Sequence, residues 1–368
     1  MSLDSVKGGP AEAKRRRVNK GTTPVKAWGS MNKNIIIWTE GGKEVGMGHL
    51  RRCLVIAQEL RENGIGVLFV INNDTSAIQW ITHNGFKYKI AALKESGYHR
   101  INESEGGIIL IDTKKSVANL MKRLKDAGKK IVLLDNFTKA RLLSDIVIFP
   151  SAIFDNNLNW DGFRGRFFKG IEYIPIRETY INVRQKAKHL KLQPPYQILI
   201  TMGGSDPNHL TGKVVSSLLN FQKPLNIKVV IGPSFSFDAN LKELEKNKYA
   251  NIEFIRNRED LSDIMANSHI GITALGATIY EFAAVGVPAV IIANFKGDNR
   301  DMKCYKRLGM NIPLGYHRDI VSSKIKATVM HLVSSRKDWN RIRNKGRMII
   351  KVNGAKEISR IIKECLLI

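Results

Sequence analysis

A chain of 368 residues that is 43% hydrophobic and 25% charged has the composition of a globular protein and enough length to bury two domain cores, which excludes disordered and fibrous classes. Its formal charge of +26 favours anionic partners such as nucleotide sugars, nucleic acid or an acidic membrane surface. The basic residues are spread along the chain and no aromatic-interleaved motif accompanies them, which argues against DNA or RNA and leaves at most weak association with acidic lipid. Cys53, Cys304 and Cys365 lie far apart and outside any C-x-x-C pair, which argues against a disulfide framework or a zinc site and for a reducing, cytoplasmic setting. The longest apolar stretch, Ala283 to Ala293, is too short to span a bilayer and holds Pro288.

Residues 1–30 have no apolar period, carry Lys14-Arg15-Arg16-Arg17 amid Gly, Pro, Ser and Thr, and end before a second methionine, Met31; they read as an expression tag and linker. They hold seven basic and two acidic residues, so a charge of +21 stays with the rest. From there, short β-branched runs alternate with helical stretches: Ile35–Trp38, Val67–Ile71, Ile108–Ile111, Ile131–Leu134 and Ile146–Phe149, then Ile198–Thr201, Ile227–Ile231, Ile252–Ile255, Ile270–Thr273 and Ala289–Ile292. Apolar strands interleaved with helices predict parallel sheets covered on both faces. The polar interval Arg184 to Pro195 predicts a linker between a Rossmann-like domain at 31–185 and another at 196–368. Their ligand is expected in the cleft between them, beyond the carboxyl ends of the strands.

The first strand runs into Gly46-Met47-Gly48-His49, a glycine loop at the mouth of the helical stretch Leu50 to Glu59. Main-chain amides and the positive end of a helix attract a phosphate, and His49 would face it. Arg51 stands where the third glycine of G-x-G-x-x-G would be, so a dinucleotide site is not predicted. In the second half, Met202-Gly203-Gly204-Ser205-Asp206-Pro207 follows a strand, with Ser205 or Asp206 suited to cap a helix that has Pro207 at its first position. Ile231-Gly232-Pro233-Ser234 is a further strand end, and Thr273-Ala274-Leu275-Gly276-Ala277-Thr278 ends another as a helix begins near Gly276. Amides of Ala277 and Thr278 could take a diphosphate there. Glu281, one turn further in, could accept both ribose hydroxyls or could simply be an acid favoured by the helix dipole.

The chain from Met31 onward resembles the UDP-2,4-diacetamido-2,4,6-trideoxy-β-L-altropyranose hydrolases of pseudaminic acid synthesis. These are themselves similar to the GT-B transferase that adds N-acetylglucosamine to the lipid-linked muramyl precursor. The resemblance rests on V-G-M-G-H-L-R-R-C-L, on E-Y-I-P-I-R-E-T-Y (Glu172 to Tyr180), on I-T-M-G-G-S-D-P and on T-A-L-G-A-T-I-Y-E-F-A-A-V-G-V-P (Thr273 to Pro288). It implies an α/β fold of the GT-B type and cleavage of a UDP-sugar to UDP and free sugar with inversion. No cofactor or metal is implied, and no D-x-D triplet is present to clamp a cation.

By the same resemblance His49 is the base that activates water, Gly203 and Gly204 face the cleft, and the backbone of Ile255 reads uracil. Thr273, Ala277 and Thr278 hold the diphosphate, Glu281 holds the ribose, and Asp298 and Asn299 contact the sugar. Gly46, Gly48, Arg51, Asp112, Arg177, Gly232 and Gly276 complete the expected substrate-binding set. Arg51, Arg52 and the helix end are expected to disfavour the imidazolium form of His49. One place departs from the pattern: Asp-His-Tyr after the third strand becomes Asp112-Thr113-Lys114, and the aromatic of the family's sugar pocket is lost. The alternative is a GT-B glycosyltransferase that moves the sugar to an acceptor. The expected assembly is a monomer or loose homodimer.

Overall fold

The computed structural model describes residues 34–101, 106–247, 249–256, 258–351 and 353–367; the expected tag at 1–30 lies outside them. The first sheet contains β1 (Asn34–Thr39), β2 (Gly66–Ile71), β3 (Lys87–Ile90), β4 (Ile108–Asp112), β5 (Lys130–Leu134), β6 (Ile146–Phe149) and β7 (Arg166–Lys169). Its order is β3-β2-β1-β4-β5-β6-β7, with every pairing parallel. The second contains β8 (Tyr196–Thr201), β9 (Leu225–Ile231), β10 (Ile252–Arg256), β11 (Ile270–Ala274), β12 (Ala289–Ala293) and β13 (Ile312–Tyr316), in the order β10-β9-β8-β11-β12-β13 and again wholly parallel.

The central strands are the apolar runs of the sequence, because a parallel strand under helices on both faces must be hydrophobic on alternate and intervening positions alike. Ile35, Ile36, Ile37 and Trp38 are all buried. Three strands were not predicted. β3 and β7 are sheet edges that read Lys87-Tyr88-Lys89-Ile90 and Arg166-Phe167-Phe168-Lys169, and half-exposed edges carry charge instead of a hydrophobic run. β13 contains Pro313 and Gly315 and pairs through an irregular register, tolerable at an edge and invisible to a pattern search.

The chain leaves the first lobe earlier than the expected linker. Ile174, Ile176, Tyr180 and Ala187 are buried in the core of the second lobe, and residues Arg184–Lys188 of the supposed linker form a helix. Arg184 binds the carbonyl oxygens of Ala284 and Ile350, so this interval is packed structure. The final helix, Gly354–Leu367, does the reverse: Ile358, Ile361 and Ile362 are buried in the core of the first lobe beside Leu50 and Leu54, so the boundary drawn at 196–368 does not hold for the last turns. The two crossings touch. A Cβ on Gly354 would meet backbone atoms of Ile174, so no larger residue fits there without a shift.

Candidate active site

The helix Gly48–Glu62 begins two residues after Gly46, whose φ of +74° belongs to a conformation that a side chain would strain. Its buried stripe of Leu50, Cys53, Leu54, Ala57 and Leu60 faces the sheet, as the spacing predicts. His49 and Arg52, three residues apart, share another face and converge on the end of β4.

Asp112, the last residue of β4, is wholly buried there. Its Oδ1 lies 2.7 Å from His49 Nδ1. Arg52 donates to it twice, Nε to Oδ2 at 2.6 Å and Nη2 to Oδ1 at 2.5 Å, and the Cys53 thiol donates to Oδ2 at 3.4 Å. The third guanidinium nitrogen, Nη1, donates to Asp135 Oδ2 at 2.8 Å. Burial alone would push the Asp112 carboxyl up, but the Arg52 guanidinium and then His49 hold it well below the usual carboxylate range. Burial and then the Asp112 charge drive the Cys53 thiol well up, so it stays protonated.

This fixes the tautomer of His49. Two lone pairs cannot face each other at 2.7 Å, and the ionised Asp112 has no proton to give, so the ring donates from Nδ1. Its Nε2 is left as the ring nitrogen on the side of the cleft, whose wall His49 lines. Arg52 pairs with two carboxylates and its Nη2 also lies 3.1 Å from His49 Nδ1, whereas Arg51 points across the cleft to Glu281.

The second lobe supplies main chain. Gly203 has φ of +86°, and Gly204 sits so close to Met47 that a Cβ would be tight against its side chain and backbone nitrogen. A Cβ on Gly232 would lie 2.6 Å from the carbonyl oxygen of Gly203 and against that of Gly204, while Ser234 N donates to Gly204 O at 2.9 Å. The cap at this corner differs from the expected one: Asp206 accepts from Leu210 N and Thr211 N, and the helix starts at Leu210, three residues beyond Pro207.

The helix Thr278–Val285 opens toward the first lobe, and its leading amides lack intrahelical acceptors by geometry. Glu281 on its first turn receives Arg51 Nη2 at 3.0 Å on Oε1, while its Oε2 is buried with no hydrogen-bond partner. Arg51 also reaches the Tyr180 hydroxyl at 3.3 Å and the Glu259 carbonyl at 3.4 Å. Burial would weaken the proton affinity of this guanidinium, but Glu281 and then Tyr180 raise it above its ordinary value.

Two cavities meet here. One of about 770 Å³ takes in His49, Arg52, Lys114, Asp135, Asp298 and Asp301. The other, about 490 Å³, is lined by the glycines at 46, 203, 204 and 232 together with Thr273 and Thr278. Gly48, Gly276, Ala277 and Glu281 border both. The structure therefore brings most of the predicted set to one cleft, Arg177 included. Asp298 lines the larger cavity and accepts from Phe295 N at 3.0 Å. Asn299 opens the next helix, and its side chain lies outside the described residues.

Three placements differ from expectation. Asp112 does not reach the cavity, because the helix that carries His49 covers it. Ile255 does not line either cavity; it lies on β10 at the sheet edge, and Val230 and Leu261 border the pocket instead. Arg51 borders the cleft, but its guanidinium is taken by Glu281. Sequence reasoning missed Asp135, although it follows directly on a predicted strand end, the position where ligands meet parallel sheets. At the site of the departed motif, Thr113 is buried and donates to Glu40 Oε2 at 3.1 Å, while Lys114 stands exposed in the larger cavity.

Residues 182–305 match the profile of the glycosyltransferase family 28 C-terminal domain. The chain is similar to the uncharacterized protein MJ1062 of Methanocaldococcus jannaschii, 30% identical over 268 residues, 70% of this chain and 55% of that protein; it thus spans about half the length of this relative. It is also 23% identical to the spore coat polysaccharide biosynthesis protein SpsG of Bacillus subtilis, over 89% of this chain and 97% of that one. Over 71% of its length it is 24% identical to the UDP-2,4-diacetamido-2,4,6-trideoxy-β-L-altropyranose hydrolase of Campylobacter jejuni, covering 90% of that enzyme. The fold matches that of Acinetobacter baumannii MurG with a TM-score of 0.64 at 14% identity, covering 90% of this chain and 99% of that one. Two Rossmann-like parallel sheets facing a common cleft are the GT-B architecture.

Proposed function

We propose that the protein hydrolyses a UDP-sugar to UDP and free sugar with inversion at the anomeric carbon. The observation that carries this reading is the imidazole Nε2 of His49, aimed by Asp112 into a cavity that also borders the helix mouth at Ala277 and the unpartnered oxygen of Glu281. A diphosphate is already a good leaving group, so the task is to hold the charge that develops on it, supply a base and admit one water.

In the proposed reaction a water oxygen bonds to the anomeric carbon as the bond to the phosphate oxygen breaks. Its electron pair leaves with UDP, and the water proton passes to His49 Nε2. The imidazolium so formed is stabilised by Asp112, which is buried 2.7 Å from the opposite ring nitrogen and has no solvent of its own. Amides of Ala277 and Thr278 meet the diphosphate, with Arg177 and Arg258 on the same wall of the smaller cavity. Glu281 Oε2 accepts from the ribose, which ends its isolation. The match to a relative named for UDP-sugar hydrolysis supports the reading, as does the relative named for polysaccharide biosynthesis.

A second reading, transfer to an acceptor hydroxyl in place of water, draws on the matched profile, which is that of a glycosyltransferase domain. Incubation of the purified protein with UDP-sugars in the absence of any acceptor separates the two. Stoichiometric release of free sugar with UDP is expected for hydrolysis, and its loss in His49→Asn with UDP affinity retained assigns the base. Release that needs an added acceptor would replace hydrolysis by transfer. No helix among the described residues is long and apolar enough to cross a membrane.

A further inference from the structure

Resting on the UDP-sugar reading, we infer that Asp135 is the residue of the first lobe that binds the sugar ring, accepting a hydroxyl or amide hydrogen bond on its free carboxylate oxygen. Asp135 follows β5 and has φ of +52°, a left-handed conformation that costs any residue with a Cβ free energy that glycine would not incur. The conformation is held from several directions. Asp135 N donates to Ile148 O at 2.9 Å, Arg52 Nη1 grips Oδ2 at 2.8 Å, and the next residue, Asn136, donates to the carbonyls of Thr113 and Lys115.

These restraints fix a carboxylate in the wall of the larger cavity, together with His49. Its Oδ2 is occupied by Arg52, and among the described residues Oδ1 has no hydrogen-bond partner. A buried brace for Arg52 would need neither the strained backbone nor the access to the cavity. Phe137, two residues on, lines the same cavity and is 42% exposed, so the loop offers a planar apolar face beside an acceptor, the combination that suits a sugar with its C–H and O–H faces. The opposing wall carries Asp298 and Asp301 from the second lobe. Burial raises the Asp301 carboxyl, with Arg300 opposing the shift and Asp298 adding to it.

The test compares Asp135→Asn and Asp135→Gly with the unaltered chain. Dissociation constants are measured for UDP, UDP-glucose and UDP-N-acetylglucosamine, together with melting temperatures and the pH profile of kcat/KM for whichever sugar nucleotide turns over fastest. The expected result is UDP affinity within about twofold of the unaltered chain, a loss of at least about tenfold in the preference for the sugar nucleotide over UDP, and a melting temperature in Asp135→Gly equal to or above the original. Preference retained in both variants overturns the inference. So does a shifted pH profile with preference intact, because that places Asp135 behind Arg52 and His49 and away from the sugar. Failure of the unaltered chain to bind UDP overturns the nucleotide reading itself, with this inference falling alongside it.

Discussion

The two walls of the cleft are made of different material. On the first lobe four charged or titratable side chains, His49, Arg52, Asp112 and Asp135, lock one another in place over distances of 2.5 to 2.8 Å. On the second lobe the wall of the smaller cavity is largely backbone: Gly203, Gly204, Gly232 and the open end of the helix Thr278–Val285, with Glu281 paired to Arg51, while Asp298 and Asp301 face the larger cavity. A wall of amides can hold an anion but has no group that takes a proton near neutral pH, whereas a wall of coupled side chains can move a proton but offers little to a diphosphate. Under the proposed function grip falls to one lobe and chemistry to the other, and each assignment can be broken separately.

The largest effect is expected from His49→Asn, which should lower turnover about 10²- to 10⁴-fold while UDP still binds, as read by steady-state kinetics beside calorimetry. Equal losses in both would mean that the first wall also grips. Next comes Arg52→Met, which leaves the buried Asp112 without its main partner and should cost about 3–5 kcal/mol in denaturant unfolding, since a buried charge stripped of its counterion is penalised far more than an exposed one. Gly232→Ala presses a methyl group on the carbonyls of Gly203 and Gly204 and should cost about 1–3 kcal/mol, seen as weaker UDP binding with the pH profile of catalysis unmoved. Glu281→Gln keeps the shape but weakens the bond from Arg51 and the proposed ribose contact, for an expected loss of about tenfold in UDP affinity.

The smallest effect is a dependence of stability on acid. Because the folded carboxyl of Asp112 is depressed, its contribution is fully present above the unfolded value of about 4 and is lost as pH falls below it toward the folded value. Denaturant midpoints between pH 7 and 3 should therefore fall less steeply in Asp112→Asn, from a lower starting point. A slope equal to that of the unaltered chain would remove Asp112 as its source.

The same contrast explains what could be read in the chain. The second wall was legible because its parts are local: Gly203-Gly204, Gly232 and Gly276-Ala277-Thr278 each sit within a few residues of an apolar strand, and glycine there has few other uses. The first wall was legible only at His49. Asp112 stands 60 residues from Arg52, and Asp135 stands 83 away, so nothing in the spacing says that one guanidinium holds both. Asp112 was accordingly taken for a ligand-binding group when it is the buried support of His49. Both sheets followed from hydrophobic runs, whereas charged β3 and β7 and the proline-bearing β13 hid at the edges. Ile255 stands outside both cavities for a related reason: its strand is as expected, but which edge of a parallel sheet turns toward a cavity is a property of the assembled order.

The return of the helix Gly354–Leu367 to the first lobe bears on how the chain matures during translation. The first sheet is complete once residue 169 has been made, yet Ile358, Ile361 and Ile362, which cover part of it, are synthesised only after the whole second sheet. The amino-terminal half therefore waits, with an apolar face uncovered, through the manufacture of the entire other half. A nascent chain stalled before residue 354 should present that face to chaperones and proteases until the helix Gly354–Leu367 has been made.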